Sequence, residues 1–471
     1  MHPGHPRRRR HRRAQLAVGV LAGCLLVACG SGDDGAAHPP DTDGGHTPTA
    51  PATPDGTDTH VPATPAGEQV TWVLRELHSE TGPDADTAEE RFSEAFLDEV
   101  PAPQVALTFN GLRQLGPFTV VGYEGSDDAA RVQLSGADDT GWLLTLLVDD
   151  DGRIGTLTVA PHDPPPEIAT WAEVDELLTA TGADVGIYAA RDHDGTWQEI
   201  HSLDPATARP LGSTAKLYVL GAVQQAVLDG EIAWDDELVV TDDVRSLPTG
   251  QLQDAAEGTL VSVADAAEKM ISISDNTATD LLIDLVGRDA VEAAAAAMGH
   301  HQPDLLEPFI TTRELFHLAW SDPRLRDSWS DADAQRRGDL LDAVPPGALG
   351  VAPADITDVA WTAGVDWFAS ATDVAAAHLG VQVLAAEDSS GITRNLLALN
   401  PGVAVDGDVW PYAAYKGGSA PGVFVLSWYL EDADDVPHVL IIQLAANSAA
   451  DLADELRLVR IAEQALDLLA Q

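Results

Sequence analysis

The sequence predicts an α+β protein in two globular parts, and three features carry that prediction. Between residues 68 and 160, three helix-like apolar stretches precede four short strand-like runs. From 167 onward, two strand-like runs, a long helical middle and three more strand-like runs close on a terminal helix, so one sheet would be completed by both ends of that part, with a helical lobe between. The two parts are separated at 161–166 by His162-Asp163-Pro164-Pro165-Pro166, a linker that consecutive prolines stiffen toward polyproline II. At 471 residues the chain has room for two or three domains, each able to bury a core.

The N-terminus reads as an export signal. Arg7 to Arg13 is a basic region, and Leu16 to Ala28 is an apolar run too short to span a bilayer. It ends Leu26-Val27-Ala28-Cys29-Gly30, which resembles the bacterial lipobox. That resemblance implies cleavage after residue 28 and lipid on Cys29, hence an extracytoplasmic lipoprotein held to the membrane by its lipid anchor only. Cys24 would leave with the signal, so the mature chain would have neither a disulfide nor a thiol metal site. Residues 29–67, rich in Gly, Asp, Thr, Pro and Ala, read as a disordered tether. His38, His46 and His60 within it lack ligand spacing. A net charge of −50 argues against nucleic acid and against an anionic membrane surface as partners.

In the first globular part, helices are expected over Gln69–Ser79, Ala88–Val100 and Pro103–Leu115. Strands are expected at 117–123, 129–135, 141–148 and 154–160, the last pair joined by an Asp149–Gly152 turn. Helices followed by a meander resemble the cone-shaped isomerase-like (NTF2-like) fold. With no acid, base or metal cluster in the part, a binding or packing role is expected of it.

In the second part a helix is expected near 167–181, strands at 183–190 and 196–201, and an all-round apolar helix from Ser213 to Leu228. A helical region follows over Ser262–Leu285; then come strands near 411–416, 422–430 and 437–445, and a helix over Ala450–Leu469. Ser213 and Lys216, three apart, share a face at a helix start. A serine hydroxyl needs a base, and a desolvated lysine can be one. By itself S-x-x-K is better explained by a cap and a surface lysine. Lysine usage shifts that balance: the 26 basic residues include only three lysines, Lys216, Lys269 and Lys416, and arginine supplies the rest. A retained lysine suits a position that needs an amine of tunable proton affinity.

Two further motifs follow: Ser274-Asp275-Asn276, able to present two polar side chains from a turn, and Lys416-Gly417-Gly418-Ser419 at a strand end. Separately they read as a cap and a turn. In this order the three resemble the S-x-x-K, S-D-N and K-T-G set of class A β-lactamases and penicillin-binding proteins, and the segment from Glu268 to Leu282 is similar throughout. With the part before it, the chain resembles the two-domain actinobacterial proteins that include the β-lactamase-like protein of the clavulanic acid cluster and related lipoproteins.

The resemblance implies a β-lactamase/transpeptidase-like domain over 167–471, with an antiparallel sheet flanked by helices plus a helical lobe. It also implies Ser213 as acylated nucleophile, Lys216 as base, Ser274 as proton relay, Asn276 on Lys216 and the substrate amide, and Lys416 attracting a substrate carboxylate. The N–H groups of Ser213 and Ser419, beside Gly418, would form the oxyanion hole. No cofactor and no metal are implied. The expected partner is a small ester, amide or β-lactam-like substrate.

Two departures bear on chemistry. Gly417 replaces the hydroxyl residue of K-T-G. Only about ten residues separate Met298-Gly299-His300 from Thr311, where the Ω-loop glutamate that activates the deacylating water belongs, and Glu307 is the one acid there well placed by sequence. Acylation without efficient deacylation of β-lactams is therefore expected. Trp361, Trp367 and Phe368, in the insert from about 320 to 405, would pack in the core or roof the pocket. His300-His301 has no third ligand at suitable spacing. The alternatives to a serine hydrolase are a catalytically silent binding protein for an acyl or cell-wall ligand and, third, a glutaminase using a similar S-x-x-K helix.

Overall fold

The computed structural model describes residues 61–471 except positions 80, 94–95, 98–99, 127, 138–139, 150, 162–165, 194–195, 248, 348 and 353–354. The signal, Cys29, the tether to residue 60 and its three histidines lie outside the described residues. The chain divides into two compact units, Met1–Asp163 and Pro164–Gln471.

The first unit has helices α1 (Pro65–His78), α2 (Ala85–Arg91) and α3 (Ala102–Arg113), then an antiparallel meander of β1 (Thr119–Gly125), β2 (Ala129–Ser135), β3 (Gly141–Val148) and β4 (Ile154–Pro161). Two of the expected boundaries are corrected. The tether does not run to residue 67, because Thr64 caps α1, its hydroxyl accepting the Gly67 N–H at 3.1 Å, and Pro65 occupies the first turn. Pro161 belongs to β4 and not to the linker. The second helix breaks after Arg91, and the described residues Phe96 and Leu97 are helical again. Phe92, fully buried against Trp72 and Phe96, forms a bridge with Ile154 instead, and tertiary pairing overrides helical spacing there. The β3–β4 turn closes with Gly152 at φ +72° and Asp149 accepting the N–H groups of Asp151 and Arg153.

The second unit opens with α4 (Trp171–Thr179), β5 (Asp184–His193), β6 (Thr196–Leu203) and β7 (Arg209–Pro210). After a 3₁₀ turn, Gly212–Ala215, come α5 (Lys216–Leu228), α6 (Val263–Ser272), α7 (Asn276–Val286) and α8 (Arg288–Ala297). Short helices then lead to β8 (Phe368–Ala369), α9 (Ala371–Glu387) and α10 (Ile392–Ala398). The chain closes with β9 (Tyr412–Tyr415), β10 (Gly418–Ala420), β11 (Val423–Glu431), β12 (Pro437–Ala445) and α11 (Glu455–Leu469). The main sheet runs β9-β11-β12-β5-β6, with β10 also on β11, so strands from both ends of the unit meet where Ile441 pairs with Tyr188.

Both sheet faces are covered, which is why β11 and β12 read as largely apolar runs, interrupted by Ser427, His438 and Gln443. Leu426, Trp428 and Leu430 pack with α4 and α11 on one face; Tyr429, Val439 and Ile441 pack toward α5 and α9 on the other. Helix α5 is buried on nearly every side.

Two local differences from expectation shape the site. Ser213 lies in the 3₁₀ turn and not in the α-helix. Gly212 there has φ +50°, and a side chain on it would stand 3.0 Å from the Ser419 nitrogen, so the backbone turns tightly against β10. The helical region 262–285 breaks at Ser274, whose φ is +58°. In the insert, Trp367 is buried and donates its indole N–H to Ile310 O at 3.0 Å, a core role and not a roof.

Candidate active site

The three motifs converge on one hydroxyl. Lys216, 2% exposed, donates to Ser274 O at 2.6 Å, Ser274 Oγ at 3.1 Å and Asn276 Oδ1 at 2.8 Å. Lys416, equally enclosed, donates to the same Ser274 Oγ at 3.1 Å and to Gly417 O at 2.8 Å. Two buried amines around one oxygen disfavour double protonation. Burial, then the charge of Lys416, holds Lys216 well below the usual lysine range, against the opposing pull of Asp275 and Asp280. Burial brings Lys416 down to about 7. The third lysine, Lys269, is tied to Gln251 on the outside.

The Ser274 turn is held from below by Asp275. Its carboxylate caps α7 through the Ala278 N–H at 2.8 Å and accepts Gln251 and Leu252 N–H at 2.6 and 2.9 Å. The loop before it closes over the same turn, with Thr249 Oγ1 donating to Ser274 O and Asn276 Nδ2 donating to Leu247 O.

Ser213 is half-buried, and its hydroxyl makes no hydrogen bond among the described residues, with Lys216 or otherwise. Such contacts commonly tighten only when substrate binds. Its backbone N–H belongs to a first turn, where donors lack an intrahelical acceptor. Gly418 fits against it so closely that a Cβ there would lie 2.9 Å from Ser213 N and 2.0 Å from Leu211 O. The 3₁₀ turn and β10 therefore meet backbone to backbone, with the Ser213 and Ser419 nitrogens at the junction.

Several residues that position the site escaped the sequence reading. Asp366, buried, accepts the N–H groups of Leu211, Gly212 and Trp367 on one carboxylate oxygen at 3.1, 2.9 and 2.7 Å, fastening the Ser213 turn. Burial raises its carboxyl to about 7, against those three bonds. His378, which burial keeps neutral with a pKa of about 3, contacts Ser427 Oγ at 2.9 Å, and that hydroxyl donates to Lys416 O at 2.6 Å. Tyr415 explains Gly417: a Cβ at 417 would fall 2.2 Å from the Tyr415 hydroxyl, which occupies the space of a side chain at that position.

Glu307 is exposed; its backbone N–H bonds Asp304 O, and its carboxylate makes no hydrogen bond among the described residues. The acids whose charge reaches Lys216 are Asp275 and Asp280. Asp280 is occupied too, its two oxygens accepting the Thr312 and Arg313 N–H groups at 2.7 and 2.8 Å, and burial lifts its carboxyl to about 7.

In comparison with known families, residues 169–339 match the model of the beta-lactamase enzyme family and residues 61–154 the model described as ORF 12 gene product N-terminal. The chain thus carries a beta-lactamase-like domain behind a separate N-terminal domain. Among solved structures, a beta-lactamase from Sphaerobacter thermophilus is 21% identical, covers 64% of this chain and 98% of its own, with a TM-score of 0.43. PBP-A is 18% identical over 65% of this chain and 99% of its own, with a TM-score of 0.42. A beta-lactamase from Xanthomonas campestris is 17% identical over 63% and 96%, with a TM-score of 0.43. Comparison with curated protein sequences returned no match.

Proposed function

We propose that this chain is an exported, lipid-anchored serine hydrolase that transfers the acyl group of a small ester or amide to Ser213 and reacts weakly with β-lactams. The observation that carries the reading is the buried Lys216 amine, hydrogen-bonded to both Ser274 and Asn276 and sharing the Ser274 hydroxyl with Lys416. In acylation, Ser213 Oγ attacks the carbonyl carbon and its proton passes to Lys216. The oxyanion rests on the N–H groups of Ser213 and Ser419, where losing one donor costs ~2.7–4 kcal/mol. Ser274 Oγ then gives its proton to the leaving oxygen or nitrogen as the acyl bond breaks, and is reprotonated from the neighbouring amine.

Lys416 attracts a substrate carboxylate, and Asn276, with the Gly418–Ser419 edge, holds the substrate amide. The Tyr415 hydroxyl stands where the missing residue-417 hydroxyl would help bind that carboxylate. Deacylation lacks a dedicated acid, so a bulky β-lactam acyl group stays on Ser213, whereas a small ester turns over with Lys216 as base in both steps. The N-terminal domain, an NTF2-like unit on this reading, serves in binding or packing.

A second reading, a silent binder of an acyl or cell-wall ligand, draws on the Ser213 hydroxyl having no bond to Lys216. Acyl esters of graded chain length, assayed with wild type and Ser213→Ala, separate the two. Turnover lost in the variant supports the hydrolase. Equal binding with no turnover and no fluorophosphonate adduct supports the binder. Cys29→Ala shifting the protein from membrane to medium tests the anchor.

A further inference from the structure

His300 and His301 acquire in the fold the third ligand that sequence spacing does not supply. Asp373, in the first turn of α9, brings its carboxylate beside them, and one donor atom from each of the three residues lies within 4.8 Å of the others. The imidazole of His300 is 4% exposed, and both of its ring nitrogens are fixed by hydrogen bonds. Its Nε2 meets the Phe368 carbonyl at 3.0 Å and must donate to it, which leaves Nδ1 without a proton, accepting only the Gln302 N–H at 3.1 Å. A ring N–H held by a backbone carbonyl is the usual outer support of a metal-bound histidine. His301 Nδ1 contacts both Asp373 oxygens at 2.7 Å, and its own backbone N–H is held by the same carboxylate.

A separate observation points to the same place. The Tyr218 hydroxyl is buried with no hydrogen-bond partner among the described residues. Its ring centroid lies 5.8 Å from that of His300, and Asp373 is the charge acting on the phenol. An orphaned buried hydroxyl of this kind calls for a bound water or ion.

We propose that His300, His301 and Asp373 bind one zinc-type transition-metal ion, with the Tyr218 hydroxyl, directly or through water, completing four-coordination. Two imidazoles, a carboxylate and an oxygen suit zinc better than calcium or magnesium. On binding, His301 Nδ1 exchanges its contact with Asp373 for the metal, any proton it carries leaving to Nε2 or to solvent, and the Gln302 N–H releases His300 Nδ1. The ion fastens the 300–302 loop to α5 and α9, and the site is independent of acyl transfer at Ser213.

The full chain, stripped of metal, is titrated with zinc chloride against a chromogenic chelator. One zinc per chain is expected, with His301→Ala and His300→Ala each weakening it about 100-fold and Tyr218→Phe about 10-fold. Zinc should raise the melting temperature of wild type and leave that of His301→Ala unchanged. His301 is partly exposed, so that variant keeps its fold and carries the test if His300→Ala does not. No stoichiometric binding, or wild-type affinity retained in His301→Ala because zinc sits on other histidines, overturns the proposal.

Discussion

On one side of the turn that bears Ser213, the side chains of Lys216, Ser274, Asn276 and Lys416 are joined by hydrogen bonds of 2.8–3.1 Å. On the other side, the loop from Gly299 to Thr311 contributes a single glutamate, Glu307, which faces solvent near Glu292. The first side holds two amines whose proton affinity burial has lowered, and the second brings no carboxylate to Lys216. The difference separates two halves of a hydrolytic cycle: forming an acyl bond needs what the first side has, and breaking it with water needs what the second lacks. On the proposed reading, the fold is fitted for capture and poorly fitted for release.

The comparison breaks most directly at Lys216. Lys216→Met should lower acylation of an activated ester on the order of 10³-fold, and Lys216→Arg should not restore it, because guanidinium does not give up its proton. Stopped-flow acylation rates check this. A smaller loss is expected at Asp366. Asp366→Ala leaves the Gly212 N–H without its acceptor, while the Leu211 N–H keeps Trp367 O, and should lower kcat about 10- to 100-fold with KM little changed. Asp366→Asn keeps the accepting oxygen and should stay within about threefold of wild type, a rescue that simple loss of stability would not give.

Substrate charge sharpens the comparison further. With Lys416 at about 7, its positive charge is present below that pH and lost above it. The KM for carboxylate-bearing substrates should therefore rise as pH passes upward through 7, while KM for neutral esters stays flat. Tyr415→Phe should raise KM for the charged substrates about fivefold at pH 6 and leave neutral ones alone. The smallest effect belongs to the bare side: Glu307→Gln should alter the deacylation rate less than about twofold. A tenfold slowing would place a working base where the comparison sees none.

How much of this was legible in the sequence depends on the range of each interaction. The S-x-x-K, S-D-N and K-G-G-S motifs are local; each alone reads as a cap or a turn, and their order along the chain, with the resemblance it carries, singled them out. Strands β11 and β12 were also plain, since burial on both faces writes largely apolar runs. Asp366 was invisible because it acts on Leu211 and Gly212 across more than 150 positions, and a lone acid before Trp367 carries no pattern. The same holds for Asp373, 72 positions from His301. Tyr415 falls within the strand expected near 411–416 and carries no signal of its own; only the close approach at Gly417 shows where its hydroxyl ends. The 3₁₀ start at Ser213 was misread as α-helix, because apolar periodicity does not separate the two over a single turn.

The central claim, that acylation is assembled and release is not, is tested most directly by intact-mass measurement over time after mixing with benzylpenicillin. The account predicts a mass increase of one whole penicillin on wild type, located to Ser213, absent from Ser213→Ala and decaying only over hours. An unmodified wild-type chain at every time point, or an adduct that clears within seconds, would contradict it.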